Sequence, residues 1–203
     1  MALELQNAVI AAVRAALPEH DIIEEPATPP WLNRPGRADC GAAWPLVSDL
    51  YRELTGLELP EQMPPRERRH LDAVLVGPGG TSRILEVDEV QHFNPFRARV
   101  LAAYPPEVVT AFDREEWARL GREKTRLEGG GFARPCPPLF PGANGRHRQR
   151  AFRDALADLL PLQHRWAPTL RISHLEVGGW IHGSAAEGTM RDLLVRAKGL
   201  RTQ

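Results

Sequence analysis

Lysine is almost missing from this chain of 203 residues, in which Lys124 and Lys198 are the only two examples. Arginine therefore provides most of the positive charge, and 26 basic side chains balance 26 acidic ones at pH 7. A chain with no net charge has no general attraction for polyanions, so any basic surface must be local. Biased base composition of the gene explains the arginine excess most simply, although arginine also suits bidentate binding of phosphate.

Cysteine is equally scarce, and Cys40 and Cys136 form no Cys-x-x-Cys pair, which argues against a zinc ribbon or finger. Two isolated thiols favour a reducing compartment, so we expect a cytoplasmic protein. No apolar run approaches the roughly 20 residues of a membrane span, and no secretory signal pattern opens the chain, so no membrane partner is expected. Gly-x-Ser-x-Gly and Walker motifs are also missing from the sequence.

The pattern of apolar residues predicts an α/β fold with a mixed central sheet flanked by helices. A helical and irregular N-terminal extension, residues 1–40, is expected to precede an α/β domain, residues 41–203. Strands are predicted on either side of a Gly/Pro-rich turn at 77–80 and again at 168–177. Helices are predicted at 3–17, 44–55, 94–103, 110–127, 146–160 and 188–198.

Three carboxylates are predicted to converge on the hairpin. Glu86 and Asp88 are two residues apart on one strand and therefore point the same way, and the turn brings Asp72 back beside them. Converging carboxylates repel unless a cation joins them, and oxygen ligands suit Mg²⁺ or Mn²⁺, which promote phosphodiester hydrolysis. The alternatives are a solvated edge strand and an ion pair between Asp72 and Arg83.

Two polar residues follow this strand directly. His92 is a candidate for orienting water or protonating a leaving oxygen, and a structural hydrogen bond is its alternative role. Gln91 suits either a phosphate group or a backbone group.

The hairpin pattern, with Asp72 on one strand and Glu86 on the next, resembles the PD-(D/E)XK nuclease superfamily. The segment 85–93, Leu-Glu-Val-Asp-Glu-Val-Gln-His-Phe, is similar to a branch related to the very-short-patch-repair endonucleases, in which Glu-x-Asp-Gly precedes Gln-His-Phe. Asp113-Arg114 and Arg122 match a recurring Asp-Arg pattern of that branch. The resemblance spans about residues 71–127. It implies a restriction-endonuclease-like core that cleaves nucleic acid with Mg²⁺ or Mn²⁺, with DNA favoured over RNA as the substrate.

The sequence departs from the superfamily two residues after Glu86, where Asp88 replaces the usual catalytic lysine. A lysine on a helix can substitute in this superfamily, which makes Lys124 the candidate, with Arg122 a weaker one because it keeps its proton. A solvated helix face with salt links is the alternative for both. The departure also suggests a second reading, a catalytically inactive module that binds nucleic acid or protein, so enzymatic activity is left open.

The most basic segment of the chain begins the helix predicted at 146–160. Arg146, Arg148 and Arg150 follow Asn144-Gly145 there, together with Arg153. Helix N-termini and arginine side chains both bind phosphate, so we predict contact with a nucleic-acid backbone. A solvated helix start is the alternative.

Overall fold

A four-stranded sheet forms the centre of the fold in the computed structural model, which describes residues 2–64, 70–124, 126–127 and 129–196. Strands and helices follow in the order α1 (Ala2–Ala16), β1 (Asp21–Glu24), α2 (Pro30–Asn33), α3 (Arg37–Cys40), α4 (Trp44–Thr55), β2 (Ala73–Val76), β3 (Ser82–Asp88), α5 (Pro95–Ala102), α6 (Arg114–Glu123), α7 (Gly145–Leu159), β4 (Ala167–Ser173), α8 (His174–Val177) and α9 (Ala186–Arg196). Short 3₁₀ turns lie at Gly41–Ala43, Val90–His92, Gly130–Phe132 and Pro161–His164.

The strands pair in the order β1-β2-β3-β4. The first two pairings are antiparallel and β3 pairs with β4 in parallel, which requires the long crossover that α5, α6 and α7 provide. The expected mixed α/β sheet is therefore confirmed. β1 was not predicted, because its four residues show no clear alternation and β2 supplies the pairing that holds them extended.

Helices cover both faces of the sheet. On one face, α1 and α9 enclose a cluster that includes Leu85, Val87 and Ile172. On the other face, α4 to α7 pack over Val74 and Ile84. Residues 1–40 supply both α1 and β1, so they share this core, and the boundary at residue 40 stays a prediction.

Capping side chains set several helix ends. Asn94 accepts hydrogen bonds from the backbone N–H groups of Phe96 and Arg97 at 3.1 and 3.0 Å, which confirms the predicted start of α5. Asp113 caps α6, so this helix is shorter than its predicted range.

The strand predicted at 168–177 is wrong beyond Ser173. Ser173 and Glu176 exchange side-chain to backbone hydrogen bonds, at 3.1 and 2.8 Å, in a capping box that ends β4 and begins α8. At the C-terminus, α9 confirms most of the predicted helix, whose residues 197–198 lie outside the described residues.

Candidate functional site

A cleft of about 280 Å³ opens where β2 begins and β3 ends. The hairpin contributes an acidic wall, Asp72 and Glu86, and α7 contributes a second wall that carries three arginines and Asp154. The lining residues come from α1, the hairpin, the turn after β3 and α7: Leu3, Gln6, His70, Asp72, Glu86, Val87, Glu89, Gln91, His92, Arg146, Arg150, Arg153 and Asp154.

Asp72 and Glu86 lie together on the acidic wall. Because Ala73 pairs with Leu85 across the hairpin, the residues just beyond that pair, Asp72 and Glu86, are neighbours. The backbone N–H of Val87 donates to Oδ2 of Asp72 at 2.7 Å, which fixes this carboxylate against β3. Glu86 is only 3% exposed, although it lines the cleft. Arg83 donates instead to the carbonyl oxygen of Pro168, at 2.7 Å.

Asp88 shares the face of Glu86 but lies deeper, beneath the cleft. Its Oδ1 accepts from Nη1 of Arg171 at 2.8 Å, and its Oδ2 accepts from Nε1 of Trp117 at 2.7 Å. The side chains of Asp88 and Arg171 are essentially buried. Both oxygens are therefore committed to protein donors, and the structure does not bring Asp88 to the cleft surface with Asp72 and Glu86.

Arg171 is the centre of a buried charge network that the sequence reasoning missed. Its Nε donates to Oδ1 of Asp158 at 2.8 Å. Oδ2 of Asp158 in turn accepts from Arg97 at 2.6 Å and from the hydroxyl of Tyr104 at 2.9 Å. Opposed buried charges stabilise one another only when hydrogen bonds satisfy them, as they do for both oxygens of Asp88 and of Asp158. A usable signal was present, since Arg171 is the only charged residue in β4.

His92 connects this network to the cleft. Its Nδ1 lies 3.0 Å from Oδ2 of Asp154 and 3.4 Å from Oδ1 of Asp88. Burial alone would lower the pKa of His92, but the two carboxylates outweigh it and raise that pKa above the ordinary value. Burial likewise opposes ionisation of Asp154, yet His92 and Arg171 hold the pKa of its carboxyl well below the usual range. Nδ1 faces the carboxylates, so exchange of a proton with the cleft uses Nε2.

The remaining predicted residues divide between the cleft and other places. Gln91 lines the cleft, and its Nε2 donates to Oε2 of Glu89 at 2.7 Å. Lys124 donates from Nζ to the carbonyl oxygen of Val90 at 2.8 Å, just past the end of α6. Arg122 lines a separate hollow beside Tyr104. In the part of the chain that the structure describes, neither Lys124 nor Arg122 lines the cleft.

The predicted arginines of α7 do not all line the cleft. Arg146, Arg150 and Arg153 recur every three or four residues, so they share one helix face, and all three line the cleft. Arg148 points elsewhere, because it donates to the carbonyl oxygen of Leu54 and lies over the ring of Phe96, 5.0 Å from its centroid. Arg148 therefore joins α7 to α4 and α5.

The donor set of the cleft fits a divalent cation bound partly by substrate. Among the described residues no group of three or more His, Cys, Asp or Glu side chains is arranged to hold a metal ion. Magnesium, however, commonly uses one or two carboxylates and completes its shell with water and substrate phosphates. Asp72 and Glu86 match that smaller set, whereas the predicted set with Asp88 does not form.

Comparisons with protein-family models, with curated proteins and with solved structures found no match for this chain. Within the residues that the structure describes, no helix combines the length and apolar character needed to cross a membrane.

Proposed function

We propose that this protein is a nuclease that hydrolyses phosphodiester bonds in the cleft with Mg²⁺ or Mn²⁺. The observation that supports the proposal is that Asp72 and Glu86 line the same cleft as Arg146, Arg150 and Arg153. Carboxylates repel a polyanion, so their presence in a cleft with three arginines is explained by a cation between them and the phosphate. The resemblance of the hairpin to the PD-(D/E)XK superfamily supports a restriction-endonuclease-like core and favours DNA as the substrate.

Each wall has a separate chemical task in this proposal. Asp72 and Glu86 would hold the cation, which supplies a water of lowered pKa and neutralises the non-bridging oxygens. Arg146 and Arg150 bind phosphate oxygens in charge-assisted hydrogen bonds. His92 carries a proton that it can donate through Nε2 to the departing oxygen, because its carboxylate neighbours favour the protonated ring. The free thiols of the two cysteines support a reducing, cytoplasmic setting.

The experiment compares two glutamate variants of the purified protein on labelled DNA and RNA with Mg²⁺, Mn²⁺ or EDTA. Glu86→Gln removes one charge from the acidic wall and should lower cation-dependent cleavage by at least about 100-fold, since ligand loss removes the positioned cation. Glu123→Gln removes the same charge from an exposed position on α6 and should leave cleavage unchanged. Equal activity of the two variants would exclude a role for Glu86 in hydrolysis.

A second candidate function is nucleic-acid binding without hydrolysis. It is favoured by the contacts of Asp88 with Arg171 and Trp117, and by the contact of Lys124 with Val90. These contacts leave the described part of the cleft without a lysine. Calorimetric titration with Mn²⁺ separates the two functions, because the binding module predicts no Mn²⁺ binding that depends on Glu86.

A further inference from the structure

A second groove, of about 340 Å³, adjoins the cleft across α7. It lies between the first turns of α7 and the proline-rich segment before that helix. Arg146 and Arg153 line both cavities, so they stand on the ridge between them. The groove is lined by Pro64, Arg134, Pro135, Cys136, Pro137, Pro138, Leu139, Phe140, Arg146, Gln149 and Arg153.

The groove differs from the cleft in its charge. Arg134, Arg146 and Arg153 line it, and no Asp or Glu side chain of the described residues does so. Prolines are the commonest of the other lining residues, and Leu139 and Phe140 are buried at the base of the groove. A purely basic cavity with an apolar base suits a ligand that has both a phosphate group and an apolar ring face.

Backbone contacts hold the groove in shape. The N–H of Arg146 donates to the carbonyl oxygen of Arg134 at 3.0 Å, and Cys136 and Phe140 exchange two backbone hydrogen bonds. Gly145 permits this close approach, because a Cβ atom there would lie 2.4 Å from the carbonyl oxygen of Phe140. Oε1 of Gln149 accepts from Nη1 of Arg146 at 2.6 Å and orients that guanidinium. The groove therefore exists before any ligand binds.

We infer that this groove binds the nucleotide next to the phosphate held in the cleft, so that the strand crosses α7 at Arg146 and Arg153. The inference rests on the proposed function for the identity of the ligand. A volume near the small end of ligand cavities, which span roughly 300–1,000 Å³, suits a single unstacked nucleotide. The occupant is thus a single-stranded stretch of DNA, and a small phosphodiester fills the cleft alone.

Cys136 provides a direct test, because it lines the groove and is partly accessible, whereas Cys40 is buried. The protein is alkylated with neutral iodoacetamide in EDTA, so hydrolysis plays no part. A single-stranded oligodeoxynucleotide should slow labelling of Cys136 about tenfold when nine-tenths of the protein is bound, in proportion to the free fraction. The small diester bis(p-nitrophenyl) phosphate should give no protection. Oligonucleotide binding that leaves the labelling rate unchanged would overturn the inference.

Two charge-matched variants provide an independent measurement. Arg134→Gln removes a groove arginine, and Arg191→Gln removes an exposed arginine of α9 that pairs with Glu187 on the other face of the sheet. In fluorescence anisotropy titrations, Arg134→Gln should reduce the salt slope of binding by about 0.7, which corresponds to one phosphate contact on a single strand. Arg191→Gln should retain the wild-type slope, and equal slopes for both variants would overturn the inference.

The outcomes also separate this inference from hydrolysis. Protection of Cys136 without cation-dependent cleavage supports the strand path and refutes the nuclease activity. Cleavage that depends on Glu86, without protection of Cys136, supports the nuclease and refutes the strand path.

Discussion

Replacement of Arg171 by methionine should strongly destabilise the fold. Methionine keeps much of the side-chain length. It lacks the N–H groups with which Arg171 donates hydrogen bonds to Asp88 and Asp158, at 2.8 Å each. Trp117 still donates to Asp88, and Arg97 still donates to Asp158, so the fold loses only part of the network. Removal of one partner from a buried ion pair costs about 3–5 kcal/mol, because the remaining charge stays buried. For a chain of this length that corresponds to a fall in Tm of about 6–20 °C.

The loss of stability caused by Arg171→Met should depend on pH, and the lowered pKa of Asp154 sets the direction of that dependence. With Arg171 present, Asp154 has a lowered pKa, so its contribution to stability is complete above about pH 3.9 and is lost as the pH falls through the folded value. Without Arg171, the pKa of the Asp154 carboxyl is lowered less, although His92 still lowers it, so less of this stability is present at neutral pH. The difference in stability between the variant and the wild type should therefore narrow as the pH falls below about 3.9.

Urea unfolding followed by circular dichroism measures both effects. Arg119→Met is the matched control, because Arg119 also contacts two carboxylates, Glu116 and Glu123, but on the exposed surface of α6. Exposed ion pairs add little to stability, so this variant should unfold near the wild-type urea concentration. The reasoning fails if Arg171→Met unfolds with the wild type, or if the two variants lose equal stability.

Three further predictions follow from single contacts. The imidazole of His92 should titrate above about pH 6.5 in NMR spectra, because Asp154 and Asp88 raise its pKa, and a midpoint below 6.5 would contradict this. Its contribution to stability is complete below about pH 6.5 and is lost as the pH rises through the raised pKa. Burial, with a smaller effect of a neighbouring aspartate, raises the pKa of Cys40 to about 12, so iodoacetamide should label only Cys136 in the native protein, as peptide mapping would verify. Gly145→Ala should cost about 1–3 kcal/mol in urea unfolding because its Cβ meets backbone, whereas Gly188→Ala, in open space on α9, should be neutral or stabilising; equal losses would contradict the clash.

The local part of the candidate site could be predicted from the sequence because it depends on one hairpin. The two-residue period of a strand and the turn at 77–80 are sufficient to place Asp72 beside Glu86. The same period places Asp88 on the face of Glu86. It gives no information about Arg171, which follows Asp88 by 83 residues and meets it only because β3 and β4 pair in parallel.

Two of the errors in the predicted fold have different physical origins. β1 depends on its pairing with β2, so its extended conformation is a tertiary effect without a strong local pattern. α8 had a local signal that was overlooked, since Ser173 and Glu176 have the spacing of a capping box. Apolar residues on both sides of Ser173 favoured a continuous strand, but the hydrogen bonds of the cap ended it.

The two ends of α7 are under different constraints. Asp154 and Asp158, towards its C-terminal end, are buried among the charges of the core, whereas Arg146, Arg150 and Arg153 lie nearer its N-terminal end and line the cleft. The buried carboxylates fix the position of the helix in the core. The spacing of the guanidinium groups in the cleft therefore depends on the core and not on flexible loops. Substitutions at the arginine positions can therefore change ligand preference while the buried end of the helix keeps the scaffold intact.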